Sequence, residues 1–256
     1  MAPVSGLGAL MKAQALFGWL SLPGRFHAGI LAKAANVDGA LIDMQHGLHD
    51  FRDVIELIDV LHQAGKPALL RAAVGDYGML GRLADAAADG IVMPMVENAA
   101  MAAECVAQIK YPPLGGRSWG PYLALAHAGI SGAEYLQSAN EHVKFLPMIE
   151  TRKAYEALDE IMAVPGVDGI FVGPTDLSIS LSEGRSADVF QPEAFAIASD
   201  IAQRCASRGM ACGVYAGSGE AARKLLAAGF SFVTLGNDAS MMAAGVADSF
   251  AAARGA

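Results

Sequence analysis

The sequence predicts a single α/β domain, a (β/α)8 barrel of the TIM type spanning residues 1–256, and three observations carry that reading. Apolar runs of strand length recur eight times, Ala-rich stretches of helical period separate most of them, and Gly or Pro punctuates their ends. Runs that are apolar throughout, rather than alternating, belong to a parallel sheet covered on both faces.

Taken in order, the predicted strands are residues 16–22, 39–44, 68–72, 90–96, 145–149, 169–173, 211–216 and 232–236. The first lies in an apolar patch, 15–22, that is shorter than a membrane span, lacks a basic start and has no small-residue cleavage pattern before Pro23. It is therefore read as a core strand, and no targeting or membrane-spanning segment is expected. Segments 51–64 and 151–162 each have the length and period of one crossover helix. Periodicity alone leaves an open doubly wound sheet as the competing architecture. The lack of Gly-x-Gly-x-x-Gly at the first helix counts against its dinucleotide-binding form. No repeat beyond the βα unit, no low-complexity tract and no linker is apparent.

The longest interruption, 111–142, carries Pro112-Pro113, Gly115-Gly116 and Arg117-Ser118-Trp119-Gly120-Pro121. Placed after the fourth strand, it is expected to cover the barrel mouth as an active-site loop. The C-terminal segment 239–253 is helical and apolar on more than one face. It either closes the barrel or docks on a second subunit.

Composition excludes several classes of function. Hydrophobic residues make up 54% and charged residues 17% of the chain, which excludes disorder. A formal charge of -8 with no basic run interleaved with aromatics speaks against nucleic acid as a partner. Cys105, Cys205 and Cys212 fit neither a disulfide framework nor a zinc knuckle, so a reducing cytoplasm is expected.

In a parallel barrel the C-terminal ends of all strands share one face, so polar residues there converge whatever their separation in sequence. The set is Asp43, Gln45 and His46 after the second strand, Arg71 at the end of the third, Glu150 after the fifth and Asp176 after the sixth. Glu150 and Asp176 each close an apolar run. Two carboxylates with no nearby Cys or His suit a hard divalent cation, magnesium or manganese, with positions left open for substrate. Taken singly, either acid is equally a helix N-terminal residue stabilised by the dipole. Arg71 ends a buried run where a cation needs an anion, either in a plain salt bridge or for an anionic substrate or oxyanion. His46 lies three residues beyond Asp43, whose carboxylate is expected to fix its tautomer and raise its basicity. His49, His62, His127 and His142 have no such company and receive no role. Schiff-base chemistry finds no lysine in place: Lys66 and Lys144 precede their strands, while Lys12, Lys33, Lys110, Lys153 and Lys224 fall on helices or loops. Carbanion chemistry would then depend on the cation as Lewis acid.

Together, Ile-Asp-Met-Gln-His at 42–46, Arg71, Pro94-Met95-Val96, Tyr-Pro-Pro-x-Gly-x-Arg at 111–117, Ile-Glu-Thr-Arg at 149–152 and Gly-Pro-Thr-Asp-Leu-Ser at 173–178 resemble the HpcH/HpaI aldolase family. These are metal-dependent class II pyruvate aldolases on a phosphoenolpyruvate/pyruvate-type barrel, and the similarity runs from about Phe17 to about Asp238. The resemblance implies that Glu150 and Asp176 bind the divalent metal (magnesium or manganese, with cobalt or zinc as further options). It implies that Arg71 stabilises an enolate, that His46 with Asp43 handles protons, and that Gly173, Pro174 and Thr175 receive the keto acid carboxylate. It further implies a homohexamer built as a trimer of dimers, with the C-terminal helix exchanged and Asp85 reaching a neighbouring site. Two departures, Gln45 where many members carry Glu and Met148 where many carry Gln, put the acceptor aldehyde in question.

The expected function is reversible aldol cleavage of a 4-hydroxy-2-oxo acid to pyruvate or hydroxypyruvate and an aldehyde. One alternative is a phosphate-binding barrel isomerase, resting on Gly217-Ser218-Gly219 and Gly236-Asn237-Asp238 after the last two strands. Another is a non-catalytic keto acid binding barrel.

Overall fold

The computed structural model describes residues 6–255. Their order is α1 (Leu7–Leu10), β1 (Ala15–Leu20), α2 (Arg25–Lys33), β2 (Gly39–Asp43), α3 (Phe51–Gln63), β3 (Ala68–Arg71), α4 (Tyr77–Asp85), β4 (Gly90–Met93), α5 (Ala99–Ile109), α6 (Tyr122–Ala128) and α7 (Gly132–His142). There follow β5 (Lys144–Ile149), α8 (Arg152–Glu156), α9 (Leu158–Met162), β6 (Gly169–Val172), α10 (Pro174–Leu181), α11 (Pro192–Ser207), β7 (Ala211–Ala216), α12 (Gly219–Ala227), β8 (Phe232–Leu235) and α13 (Asp238–Ala253). The eight strands pair in sequence order, all parallel, and β8 returns to β1 to close the barrel.

Alternation along each strand divides the core in two. Phe17, Trp19, Leu41, Leu69, Val92, Leu146, Met148, Phe171 and Phe232 point inward and fill the barrel, with Leu7 and Met11 packed among them. Leu20, Ile42, Leu70, Ile91, Ile149, Val172 and Val233 point outward to the helices. This parity aims the functional side chains. Asp43 continues the inward set of Leu41, Arg71 that of Leu69, and Glu150 that of Leu146 and Met148.

At the N-terminal end of the barrel a short Asp-Gly repeat stitches neighbouring strands. Asp38, Asp89 and Asp168 precede β2, β4 and β6, each followed by Gly, and accept the amides of Leu16, Ala68 and Phe145 on the preceding strands at 2.8 Å. Ser231 does the same before β8, its hydroxyl accepting from Cys212 N at 2.8 Å. Those amides start a strand and have no ladder partner on that side, so the side chains satisfy what the sheet cannot.

The insertion is not at the mouth. It follows α5, not β4, and so belongs to an αβ connection at the opposite end. Its helices α6 and α7 bury Tyr135, Ala139 and Ala124 with Tyr111 in a small core of their own. Arg117, nearly fully buried, binds Asp85 and lies over the Tyr111 ring at 4.6 Å. Lys110, also buried, donates to Asn140 O, Val143 O and Asp168 Oδ2 at 2.6–2.7 Å. Two histidines assigned no company prove to have it: His62 Nε2 meets Asp89 at 2.8 Å and its Nδ1 meets His127 Nδ1 at 3.2 Å, tying α6 to α3. Asp85, engaged by Arg117 in its own chain, stands away from this chain's mouth.

Three further boundaries differ from expectation. β1 ends at Leu20 because Ser21 and Leu22 turn their amides to a carboxylate on α13. β4 ends at Met93, since Pro94 has no amide and Met95 adopts a left-handed φ of 55°. The segment read as one helix over 151–162 breaks into α8 and α9 at Ala157. α13 does not close the barrel: it contains no buried residue, and Met242, Val246 and Phe250 are exposed. No helix among the described residues is long and apolar enough to cross a membrane.

Candidate active site

A cavity of about 500 Å³ opens at the C-terminal end of the barrel. Asp43, His46, Arg71, Gly173, Pro174, Thr175 and Asp176 line it, so the structure brings most of the expected set together, while Gln45 does not reach it. Glu150 packs beside Gly173, a lining residue.

Asp43 and Arg71 are register partners at the ends of β2 and β3, which places their inward side chains side by side. Arg71 donates Nε to Asp43 Oδ1 at 2.8 Å and Nη2 to Oδ2 at 2.7 Å. Burial pushes the Asp43 carboxyl up, but the Arg71 bonds and charge, with the amides of Gln45 and His46, hold it below the usual carboxylate range. Trp19 completes the pair: its indole N–H donates to Asp43 at 3.3 Å, and the guanidinium lies 4.7 Å from its ring centre. The fork is thus fixed on one edge, and its remaining N–H groups are free for a ligand in the cavity.

His46 is not oriented as expected. Its backbone amide, not its ring, approaches Asp43, at 3.4 Å, because both Asp43 oxygens already receive Arg71. The imidazole stands exposed on the cavity rim. His49, by contrast, is structural, its Nε2 lying 3.1 Å from Leu20 O.

Glu150 is buried, and among the described residues only the Met95 amide donates to it, at 2.7 Å on Oε1. That contact explains the left-handed turn at Met95. Burial and the nearby charge of Asp176 outweigh the Met95 bond and the Arg71 charge and push the Glu150 carboxyl up to about 7. Asp176 lies in the first turn of α10, exposed toward the cavity. Glu150, starved of hydrogen bonds and facing the charge of a second acid, forms with Asp176 an oxygen donor set that a divalent cation would satisfy. Gly173 allows the approach: a Cβ there would overlap Glu150 Oε2 and come within 2.7 Å of Met148 Cε. Gly173→Ala is therefore expected to displace the carboxylate, costing about 1–3 kcal/mol of stability by overpacking and weakening manganese binding about tenfold or more. Thermal denaturation and a manganese titration check both.

Trp19 and Tyr215, which read as core, wall the cavity with Ser21, Ala239 and Ser240, none of which carried a sequence signal, and with Met148, the departure noted from the family pattern, and Asn237. The corner proposed for phosphate is filled from within: the Asp238 carboxylate takes the Ser21, Leu22 and Ala239 amides, so a phosphate there would face a like charge.

A profile of the HpcH/HpaI aldolase/citrate lyase family matches residues 23–244. A hydroxypyruvate/pyruvate aldolase of Rhizorhabdus wittichii is 40% identical over 94% of this chain and 94% of its own length. A second, from Pseudomonas aeruginosa, is 34% identical over 91% of this chain and 86% of its own. The crystal structure of an HpcH/HpaI aldolase/citrate lyase family protein from Burkholderia cenocepacia superposes with a TM-score of 0.87 at 28% identity, covering 97% of this chain and 98% of that one. Since the matching profile runs from before β2 into α13 and the matched chains share the whole closed barrel, this chain belongs to the HpcH/HpaI aldolase/citrate lyase family.

Proposed function

We propose that the protein catalyses reversible aldol cleavage of 4-hydroxy-2-oxo acids, releasing pyruvate or hydroxypyruvate and an aldehyde, with Glu150 and Asp176 as ligands of a divalent cation. The observation that carries the reading is the buried Glu150 carboxylate, pushed up to about 7 by burial and by Asp176 at the edge of a cavity that Arg71 also lines. An all-oxygen donor set favours magnesium or manganese, with cobalt or zinc as weaker substitutes. Such a cation, when bound, supplies Lewis acidity toward the keto oxygen of the donor.

The protein's own groups do the rest. The first turn of α10 begins with Pro174, which has no amide, so the Thr175 and Asp176 N–H groups are those free to receive the keto acid carboxylate beside Gly173. Arg71, steadied by Asp43 and Trp19, offers its remaining N–H groups to the oxygen on which charge develops. His46, exposed on the rim, is placed to exchange a proton with the hydroxyl of the departing aldehyde, directly or through water. Names of the relatives support the donor class: the two enzymes described above are called hydroxypyruvate/pyruvate aldolases.

Incubation with a 4-hydroxy-2-oxo acid is expected to release pyruvate, to stop on chelation and to resume when magnesium or manganese is restored. Undiminished turnover after complete metal removal overturns the reading. The unburied apolar side chains of α13 suit docking against another copy, as in a hexamer built as a trimer of dimers. Light scattering on Phe250→Glu, expected to yield smaller species, tests that part. Three free, buried cysteines suit a reducing cytoplasm.

A further inference from the structure

The ladder between β1 and β8 stops at Gly18 and Leu235, short of the cavity wall that both strands go on to build. Above it, Asp238 continues the seam with a side chain. Its Oδ1 accepts from Ser21 N at 2.9 Å, from Ser21 Oγ at 2.5 Å and from Ala239 N at 2.9 Å. Its Oδ2 accepts from Leu22 N at 3.1 Å, and His27 Nε2 stands at the same distance. A first-turn acid on a helix ordinarily serves its own amides. Here Asn237 already caps α13 through Ser240 N at 2.8 Å, and most of the donors to Asp238 belong to the loop after β1.

This carboxylate joins two segments that touch the cavity: Ser21 on one side, and Asn237, Ala239 and Ser240 on the other. In an eight-stranded barrel β1 stands across from β5, so the stitched wall faces the Glu150 side. Arg71 and Asp43 are fixed by the β2–β3 register and their own bidentate pair, and Trp19, which also holds them, sits in the regular β1–β2 ladder, before the seam begins at Ser21. A change at the seam therefore reaches the wall opposite the keto acid before it reaches the groups that enolise it.

We infer that Asp238 is a positioning residue, holding the β1 and β8 loops together as the wall against which the aldehyde is seated. The inference rests on the aldolase reading for its substrate but on the seam geometry for its structure. Asp238→Asn keeps the shape and one good acceptor while removing the charge and an acceptor oxygen; Ser21→Ala removes a single donor. In the metal-loaded enzyme, Asp238→Asn is expected to speed hydrogen exchange of the Ser21 and Leu22 amides at least tenfold. It should also raise the KM for D-glyceraldehyde in condensation with pyruvate about tenfold, whereas exchange of pyruvate methyl protons in heavy water falls less than about threefold. Ser21→Ala is expected to show the same pattern at smaller size. Unchanged amide exchange overturns the inference, as does faster exchange with an unchanged aldehyde KM, or a loss of proton exchange as large as the loss in condensation. A wild-type enzyme that exchanges no pyruvate protons sinks the aldolase reading instead, and the amide exchange then decides the role of Asp238 alone.

Discussion

Arg71→Lys is expected to lower kcat for retro-aldol cleavage by about 10²- to 10³-fold, the usual cost of one lost oxyanion donor, with little change in KM for the substrate. The guanidinium holds Asp43 with one edge and keeps its other N–H groups for the cavity. An ammonium can hold the Asp43 carboxylate or reach the oxyanion, but it is a single point and cannot do both in this geometry. Because the charge on the keto oxygen is largest as the carbon–carbon bond breaks, the missing donor is felt in kcat more than in binding. Lysine is the informative replacement. Arg71→Ala would leave Asp43, 2% exposed, as a buried anion without its cation, a change that costs about 3–5 kcal/mol in comparable pairs. Lost activity would then be confounded with lost fold. Steady-state kinetics beside a denaturation curve separate the two: an unchanged kcat with a raised KM would reduce Arg71 to a carboxylate anchor.

How far the sequence reaches depends on whether a residue's role is local. The eight strands are legible because a strand covered on both faces must be apolar throughout. Asp43, Arg71 and Glu150 are legible because a polar residue closing such a run has one place to go, and alternation with Leu41, Leu69 and Met148 turns each inward. Asp176 is legible for a related reason, as an acid in the turn that follows a buried run. Trp19 and Tyr215 escape because an inward aromatic at a strand end looks like core filling until the cavity is seen. The insertion misleads because its position reads as following β4, whereas α5 has already carried the chain to the other end of the barrel. His62 with His127 and Asp238 with Ser21 are separated by 65 and 217 residues, and no local pattern announces such pairs. The orientation of His46 escapes for a different cause: sequence proximity suggests Asp43 as its partner, but Arg71 across the ladder binds that carboxylate with two bonds.

Metal-free protein is expected to lose stability as pH rises from about 4.5 to about 7, and Glu150→Gln is expected to abolish that loss. The Glu150 carboxyl moves from an ordinary value of 4.5 up to about 7 in the folded chain, so between those values the folded state binds more protons than the unfolded one. Stability then falls with pH across the window and levels off above it, by about 3 kcal/mol in all if each pH unit counts for about 1.4 kcal/mol. The carboxamide of the variant has the same shape as the carboxylate, keeps an oxygen for the Met95 amide and carries no charge to desolvate. At pH 8 and without metal the variant should therefore melt above the wild type. Manganese reverses the order: it stabilises the wild type by about 2.7 kcal/mol at a hundredfold excess over Kd and does little for the variant, which has lost the anionic ligand. Because proton and metal compete for one carboxylate, manganese affinity should also fall about tenfold per pH unit below about 7. Thermal melts of both proteins from pH 5 to 8, with and without manganese, read all of this. A Glu150→Gln protein that keeps the wild-type pH dependence and is still stabilised by manganese would remove Glu150 from the metal site and leave the buried acid without a purpose.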